Sequence, residues 1–369
     1  MGKVIIVGGG LAGLISSIQL AHAGVACLLI EKKSYPFHRV CGEYISNEAV
    51  PFLKRSGLYP ADAHLPQIGL FQLSSVRGKQ ATMPLDLGGF GVSRFFFDSF
   101  LYQKASKSGV KFLLNTEVIN ISFQDDSFLI RTPLAEFEAD VVIGAFGKRS
   151  RLDVQLDRSF MKARSPYAGI KYHIKTEHPD NLIALHNFEG GYCGISNVED
   201  GRTNLCYLTH RDNLRRFGDI KSMEENVLYK NPLLKNIFKN SQFLFEKPEV
   251  INEISFQTKA PVEQHILMAG DAAGMITPLC GNGMAMAIHT AKILSECIVQ
   301  FQRKEISRQQ MENMYAIEWT RNFSARLWAG RKIQALFGNS VTSNIAVNMA
   351  LYIRPIAETI VRNTHGKVF

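Results

Sequence analysis

None of the six cysteines (Cys27, Cys41, Cys193, Cys206, Cys280 and Cys297) forms a CxxC pair, and none stands at metal-ligand spacing from a histidine. That excludes a zinc centre or disulfide framework, so no metal is expected and the compartment reads as reducing. No apolar run is long and clean enough to span a bilayer. The first strand begins at the third residue, leaving no room for a signal or transit peptide, so a cytoplasmic protein is expected. The chain has no GxSxG elbow, Walker loop or HExxH, and His173, His186, His210, His265 and His289 do not fall at ligand spacing. The hydrolase, P-loop and zinc-protease classes are thereby set aside. With 20% charged and 46% hydrophobic residues in 369, the chain is long enough for one large core or two joined ones.

The net charge of +9 is unevenly placed: after residue 300 there are ten lysines and arginines against four glutamates. The same stretch carries Trp319, Phe323, Leu327, Trp328 and Phe337 in a helical pattern. A basic amphipathic region of this kind suits an anionic membrane surface or an acidic carrier protein; a solvated face over a packed helix is the plain alternative. No nucleic-acid motif accompanies the charge, and nucleic acid is not an expected partner.

The N-terminus carries the strongest pattern. Lys3-Val4-Ile5-Ile6-Val7 runs into Gly8-Gly9-Gly10-Leu11-Ala12-Gly13, then an apolar helical stretch, then Leu28-Leu29-Ile30-Glu31. This reads as strand, glycine turn, helix and second strand closed by an acid, an arrangement that holds a dinucleotide. Gly8 permits the turn, Gly10 admits a pyrophosphate close to the backbone, and Gly13 lets helix and strand pack. Glu31 can accept both hydrogen bonds of a ribose diol.

Further along, a helix capped by Ser46 or Asn47 runs to Gly57, and another begins at Ser93-Arg94 and stops at Ser108-Gly109. Strands are expected at 111–114, 117–123, 127–132 and 141–143, then over roughly 168–210 with an Asp200-Gly201 hairpin, and at 251–256. A second constellation closes the pattern. Ile266-Leu267-Met268-Ala269 delivers Gly270-Asp271, and Pro278-Leu279-Cys280-Gly281-Asn282-Gly283-Met284 opens a long helix of small residues. An acid at a strand's carboxyl end beside a glycine-rich helix start fits a ligand with hydroxyls and an electron-rich ring.

Together these two segments resemble the FAD-dependent oxidoreductases of the aromatic hydroxylase and geranylgeranyl reductase superfamily, over most of the chain up to about residue 300. The resemblance implies an α/β fold of the glutathione-reductase type: a Rossmann-like FAD-binding domain (1–70, 93–165 and 257–300) with an inserted β-sheet substrate domain (71–92 and 166–256) and C-terminal helices (301–369). It implies FAD contacts at Gly8, Gly10, Ala12 and Gly13, at Glu31 and its neighbour Lys32, and at Gly270, with Asp271 on the ribityl chain. Pro278, Gly281, Asn282, Gly283 and Met284 would lie along the isoalloxazine, where backbone N–H groups stabilise negative charge. Arg94 looks like the family arginine that neutralises phosphate, and Val118 like the residue whose backbone reads adenine. Arg39-Val40-Cys41-Gly42-Glu43 resembles the Cys-Gly-Glu segment of the reductase-like branch. There Arg39 would meet the pyrophosphate, and Cys41 or Glu43 would face substrate as catalytic candidates. As lone residues, Cys41 reads equally as a small buried group and Glu43 as a capping carboxylate.

The departures carry information too. Phe146 stands where the hydroxylases have the acid of an Asp-Gly pair that helps flavin and nicotinamide binding. Tyr192-Cys193-Gly194-Ile195-Ser196-Asn197 stands where isoprenoid reductases have Tyr-x-Trp-x-Phe-Pro and halogenases Trp-x-Trp-x-Ile-Pro. There is no second glycine fingerprint, so NADPH or NADH would bind only transiently as reductant, or a partner protein would supply electrons. The leading expectation is a monooxygenase that hydroxylates a lipophilic or aromatic small molecule. The alternatives are saturation of an alkene and electron transfer without a small substrate.

Overall fold

The parallel sheet that the glycine pattern requires is present. The computed structural model describes residues 3–162, 165–277, 281–334, 337–362 and 365–369. The chain opens with β1 (Val4–Val7), α1 (Leu11–His22) and β2 (Cys27–Ile30). Every β1 residue is buried, because a parallel strand covered on both faces needs an unbroken apolar run. Next come β3 (Tyr44–Ser46), a 3-10 turn at Asn47–Ala49, α2 (Val50–Arg55), β4 (Gln67–Ser74) and β5 (Gln80–Gly91). Ser46 is the residue that caps, its hydroxyl accepting from Glu48 N–H. The helix expected from Ser46 to Gly57 is thus a 3-10 turn followed by a short α2.

α3 (Arg94–Lys107) starts where expected, with Ser93 as its cap. It leads to β6 (Lys111–Leu113), the antiparallel trio β7 (Asn120–Gln124), β8 (Ser127–Arg131) and β9 (Glu136–Ala139), then β10 (Val141–Gly144) and α4 (Arg151–Gln155). Residues 117–119 stay outside the expected strand, since β7 begins only at Asn120. The chain then builds β11 (Tyr167–Lys175), β12 (Leu182–Phe188), β13 (Gly191–Val198) and β14 (Arg202–His210). Asp200 and Gly201 both take positive φ in the tight connection between the last two, as their residue types allow. α5 (Arg211–Phe217), α6 (Ile220–Asn226) and α7 (Pro232–Asn240) follow, then β15 (Gln242–Phe243), β16 (Glu249–Ile254), β17 (Val262–Glu263) and β18 (Ile266–Met268). The chain ends in α8 (Gly283–Gln302), α9 (Arg308–Gln334), α10 (Ser340–Tyr352) and α11 (Arg354–Arg362).

The first sheet has the order β17-β18-β10-β1-β2-β6, parallel except for β17. The second sheet runs β15-β11-β14-β13-β12-β4-β5-β3, with β16 also paired to β11. β4 lies wholly in this second sheet, so the boundary expected at residue 70 falls inside a strand. Alternation along β11 sends Ala168, Ile170, Tyr172 and Ile174 into a core beneath α6 and α7. Gly169, Lys171 and His173 therefore share the opposite face, toward the first domain. Among the described residues, no helix is long and apolar enough to cross a membrane.

Candidate functional site

Parallel register sets the site. Val7 pairs with Ile30 and with Gly144, and Gly144 with Met268. Gly8, Glu31, Ala145 and the Ala269-Gly270-Asp271 segment therefore leave the sheet along one carboxyl edge, where ligands bind in open α/β sheets. A cavity of about 750 Å³ begins there and continues under the second sheet.

The fingerprint glycines divide by cause. At Gly8 (φ +107°) a Cβ would stand 2.3 Å from the Ala145 carbonyl oxygen, and at Gly13 it would stand 2.0 Å from that of Gly8. Packing of the chain on itself explains both. At Gly10 a Cβ would meet only Arg94 Nη2, at 3.6 Å, and would project into the cavity; no group of the protein requires glycine there. Ala12 is buried against Gly270, whose φ is +59°.

Glu31, at the end of β2, accepts from Gly9 N–H at 2.7 Å and Lys33 N–H at 3.1 Å, and pairs with Arg39 at 3.4 Å. Lys32 lies beside it on the cavity rim. Arg94 is not a free cation. Its Nε and Nη2 donate to the two oxygens of Asp98 at 2.7 and 2.8 Å, and Arg39 Nε reaches the same carboxylate at 3.1 Å. Burial opposes the guanidinium charge, but Asp98 outweighs it and raises the Arg94 pKa. The two arginines, Asp98 and Glu31 sum to no net charge. A pyrophosphate would meet oriented N–H groups here, with Arg94 Nη2 3.6 Å from the place of a Gly10 Cβ and the Arg94 and Arg39 charges already answered by Asp98 and Glu31. Val118 is buried on the cavity wall, and neither its N–H nor its C=O bonds to another described residue.

Asp271 is the clearest ligand-seeking group. No group among the described residues donates to its carboxylate, which faces the cavity. Burial raises its pKa, against the pull of Lys259, Arg94, Lys148 and Arg39. Lys259 instead donates to the backbone oxygens of Lys148 and Asp271, at 2.6 and 2.8 Å, and Lys148 to that of Asn252 at 2.6 Å. Burial lowers both lysines to about 8. Gly281, Gly283 and Met284 line the cavity at the start of α8, and Asn282, its N-cap, places no side chain on the helix N–H groups. Pro278 lies outside the described residues.

Of the two catalytic candidates, Cys41 lines the cavity with its thiol raised by burial, and Asn204 Nδ2 holds its carbonyl at 3.1 Å. Glu43 has other employment. It is fully buried at φ +54°, receives Arg94 N–H at 2.8 Å and His173 Nε2 at 2.7 Å, and is ion-paired with Lys171. Burial pushes its pKa up, but Lys171 and His173 pull harder and bring it to about 2. It is therefore an ionised clasp between the Cys-Gly-Glu loop and β11, with no proton to give. Sequence reasoning missed Asp98, Lys171 and His173. The i,i+4 spacing of Arg94 and Asp98 and the i,i+2 spacing of Lys171 and His173 were the available signals. His38, also unforeseen, lines the cavity between Phe95 and Phe245, at 4.5 and 4.6 Å, with its pKa lowered to about 4, chiefly by burial.

Three features fit FAD without reference to any relative: a half-buried cavity carboxylate to which no described group donates, a glycine whose Cβ would point into the cavity, and a Val118 backbone that bonds to no other described group. They define a flavoprotein of the Rossmann-like, FAD-binding class. The chain belongs to the FAD binding domain family, whose model matches residues 1–315. It is 23% identical over 367 residues to digeranylgeranylglycerophospholipid reductase 2 of Methanopyrus kandleri, covering 94% of this chain and 88% of that protein. The corresponding reductase of Methanocaldococcus jannaschii is 27% identical over 331 residues, covering 79% and 75%. Among solved structures, a geranylgeranyl bacteriochlorophyll reductase-like protein from Thermoplasma acidophilum superposes with a TM-score of 0.79 at 17% identity, covering 98% of this chain and 95% of that one. A probable FAD-dependent monooxygenase from Pseudomonas aeruginosa gives 0.75 at 15%, covering 93% and 98%. The protein is an FAD-dependent oxidoreductase.

The glycines give a direct test of the cofactor assignment. Gly10→Ala is expected to leave apoprotein melting unchanged and to weaken FAD binding about tenfold, because the new methyl occupies pyrophosphate space. Gly13→Ala is expected to destabilise the fold itself, because the Gly8 carbonyl stands in the way. Equal losses of stability in the two variants would remove the distinction.

Proposed function

We propose that this oxidoreductase hydroxylates a lipophilic substrate whose reactive end is an aromatic ring. The observation that carries the reading is on β13. Gly194 and Ser196 line the cavity at the positions where the Tyr-x-Trp-x-Phe-Pro pattern has two aromatic side chains. A Cβ on Gly194 would meet only the Cys206 carbonyl oxygen, at 3.6 Å. The width thus vacated takes a ring, and the space beyond it, walled by Leu73, Leu185, Leu208, Ile254 and Ala350, takes an apolar tail.

Bound FAD supplies the redox chemistry: with two electrons from NADPH or NADH and with dioxygen, one oxygen atom enters the ring and the other leaves as water. The chain holds and shields. Asp271 and Val118 offer hydrogen-bonding groups to the cofactor. The α8 N-terminus turns its positive pole toward the cavity. Burial raises the Cys206 thiol to about 12, so it stays a neutral wall alongside Cys41. Phe146, in place of the hydroxylase acid, leaves the reductant no carboxylate to hold, which supports transient binding.

A second reading, saturation of an isoprenoid alkene, is favoured by the two digeranylgeranylglycerophospholipid reductases, which match over 94% and 79% of this chain. Turnover separates the two. Supplied with NADPH, dioxygen and an alkylphenol, the enzyme is expected to give a product heavier by one oxygen atom. Anaerobic gain of two hydrogens by an isoprenoid alkene, with no oxygenated product, would replace hydroxylation by reduction. Gly194→Trp is expected to cut kcat/KM for the ring substrate about tenfold or more while flavin content holds, since it refills the ring's space and leaves the sheet edge alone.

A further inference from the structure

Among the described residues, exposed large hydrophobic side chains concentrate on the last two helices and the residue joining them: Val341, Ile345, Leu351 and Tyr352 on α10, Ile353 between, and Ile356 on α11. α10 contains no charged residue in thirteen. Ser343, Ala346, Val347 and Ala350 pack it inward, while Val341, Ile345 and Tyr352, spaced by four and seven, face out. Asn348 is exposed on that side as well, but an uncharged helix that turns three large apolar side chains outward leaves an apolar patch facing water. Its inner side meets the substrate space, where Ala346, Met349 and Ala350, with Ala357 of α11, line the cavity. One helix thickness thus separates the cavity from the outer apolar face.

One cationic group, among the described residues, borders that face. Lys79, on the β4–β5 hairpin, donates to Asn348 Oδ1 at 2.5 Å and stands 5.4 Å over the Tyr352 ring. The whole chain carries +9. Apolar residues beside a lysine, on a cationic protein, match the interfacial zone of an anionic bilayer, where rings and aliphatic groups enter the acyl boundary and ammonium groups meet phosphates. Two copies set face to face would bring like charges together.

We infer that α10 and α11 seat the protein on an anionic phospholipid surface, with the outer face of α10 in the headgroup region and α10 itself standing between lipid and the cavity. Docking holds whichever reaction the flavin performs; delivery of substrate from the bilayer rests on the lipophilic reading above.

The test uses FAD-loaded full-length protein and no turnover. Co-sedimentation with phosphatidylcholine vesicles containing phosphatidylglycerol is expected to exceed that with phosphatidylcholine alone, and to weaken as salt rises. The pair Ile345→Asp and Tyr352→Asp is expected to lower the bound-to-free ratio about tenfold or more at unchanged flavin content. Neither side chain lines the cavity. Binding of the double variant equal to wild type, or wild type left in the supernatant, overturns the inference. So does a wild-type dimer in ultracentrifugation that the double variant converts to monomer, which would assign the face to a second copy. Because hydroxylation is not measured, failure here leaves the proposed reaction standing, and the reverse also holds.

Discussion

Asp271→Ala is expected to give a folded protein that purifies without its flavin. The carboxylate sits at the edge of the first sheet, faces the cavity and accepts no hydrogen bond from the described chain. Charge-assisted bonds from two ribityl hydroxyls are worth about 3 kcal/mol together, which puts the loss of FAD affinity near a hundredfold. Apoprotein stability should move the other way. Burial raises the Asp271 pKa in the folded apoprotein above its unfolded value, so the ionised group costs stability above the unfolded pKa, and alanine removes that cost. The same shift fixes the pH dependence of binding. FAD hydroxyls prefer the ionised acceptor, so affinity falls as pH drops through the raised pKa, and Asp271→Asn should flatten that profile. Fluorescence titration of apoprotein with FAD at several pH values, beside apoprotein melting curves, measures both effects. An alanine variant with full flavin content would remove Asp271 from the site.

The cofactor half of the molecule was legible in sequence because its constraints are local. A glycine whose Cβ would strike the Ala145 carbonyl, a helix start that needs bare N–H groups and an acid at a strand end all leave marks within about thirty residues of one another. The parallel register then brings Asp271 to the same edge as Gly8, which sequence spacing alone does not state. Ionic partners were not legible in the same way. Arg94 resembles the family's phosphate-neutralising arginine, but a compensating Asp98 lies one turn on and Arg39 joins it from another loop. Glu43 reads as a catalytic candidate through its Cys-Gly-Glu segment, and its partners Lys171 and His173, distant in the chain, meet it only when the second sheet packs on the first. The strand expected from Glu117 begins late for a related reason: Val118 lies on the cavity wall, with its backbone outside any ladder. Charge counting drew attention to the C-terminal segment, but it is burial that separates the inner face of α10 from its outer one.

Glu43→Gln is expected to be the most destabilising single conservative change outside the glycine turn. Glu43 and Lys171 are both fully buried and ion-paired, and the same carboxylate holds His173 and the first N–H of α3. Removing one member of such a pair leaves a buried charge without its counterion, at a cost of about 3–5 kcal/mol. The double variant Glu43→Gln with Lys171→Met should recover part of that loss, because the orphaned ammonium goes too. The pH dependence has a definite sign. The folded pKa of Glu43 is about 2 against an ordinary 4.5, so its contribution is complete above 4.5 and drains away as pH falls toward 2. Urea midpoints of wild type should therefore fall across that window, and those of Glu43→Gln should fall less. The consequence reaches the site as well. This clasp holds the loop bearing Arg39 and Cys41 against β11, so loosening it should weaken FAD binding even though the Glu43 carboxylate is taken up by Lys171, His173 and Arg94 N–H. A Glu43→Gln protein with wild-type urea midpoints and an unchanged acid profile would show that the packing of the two sheets, without the clasp, is enough to shape the cavity.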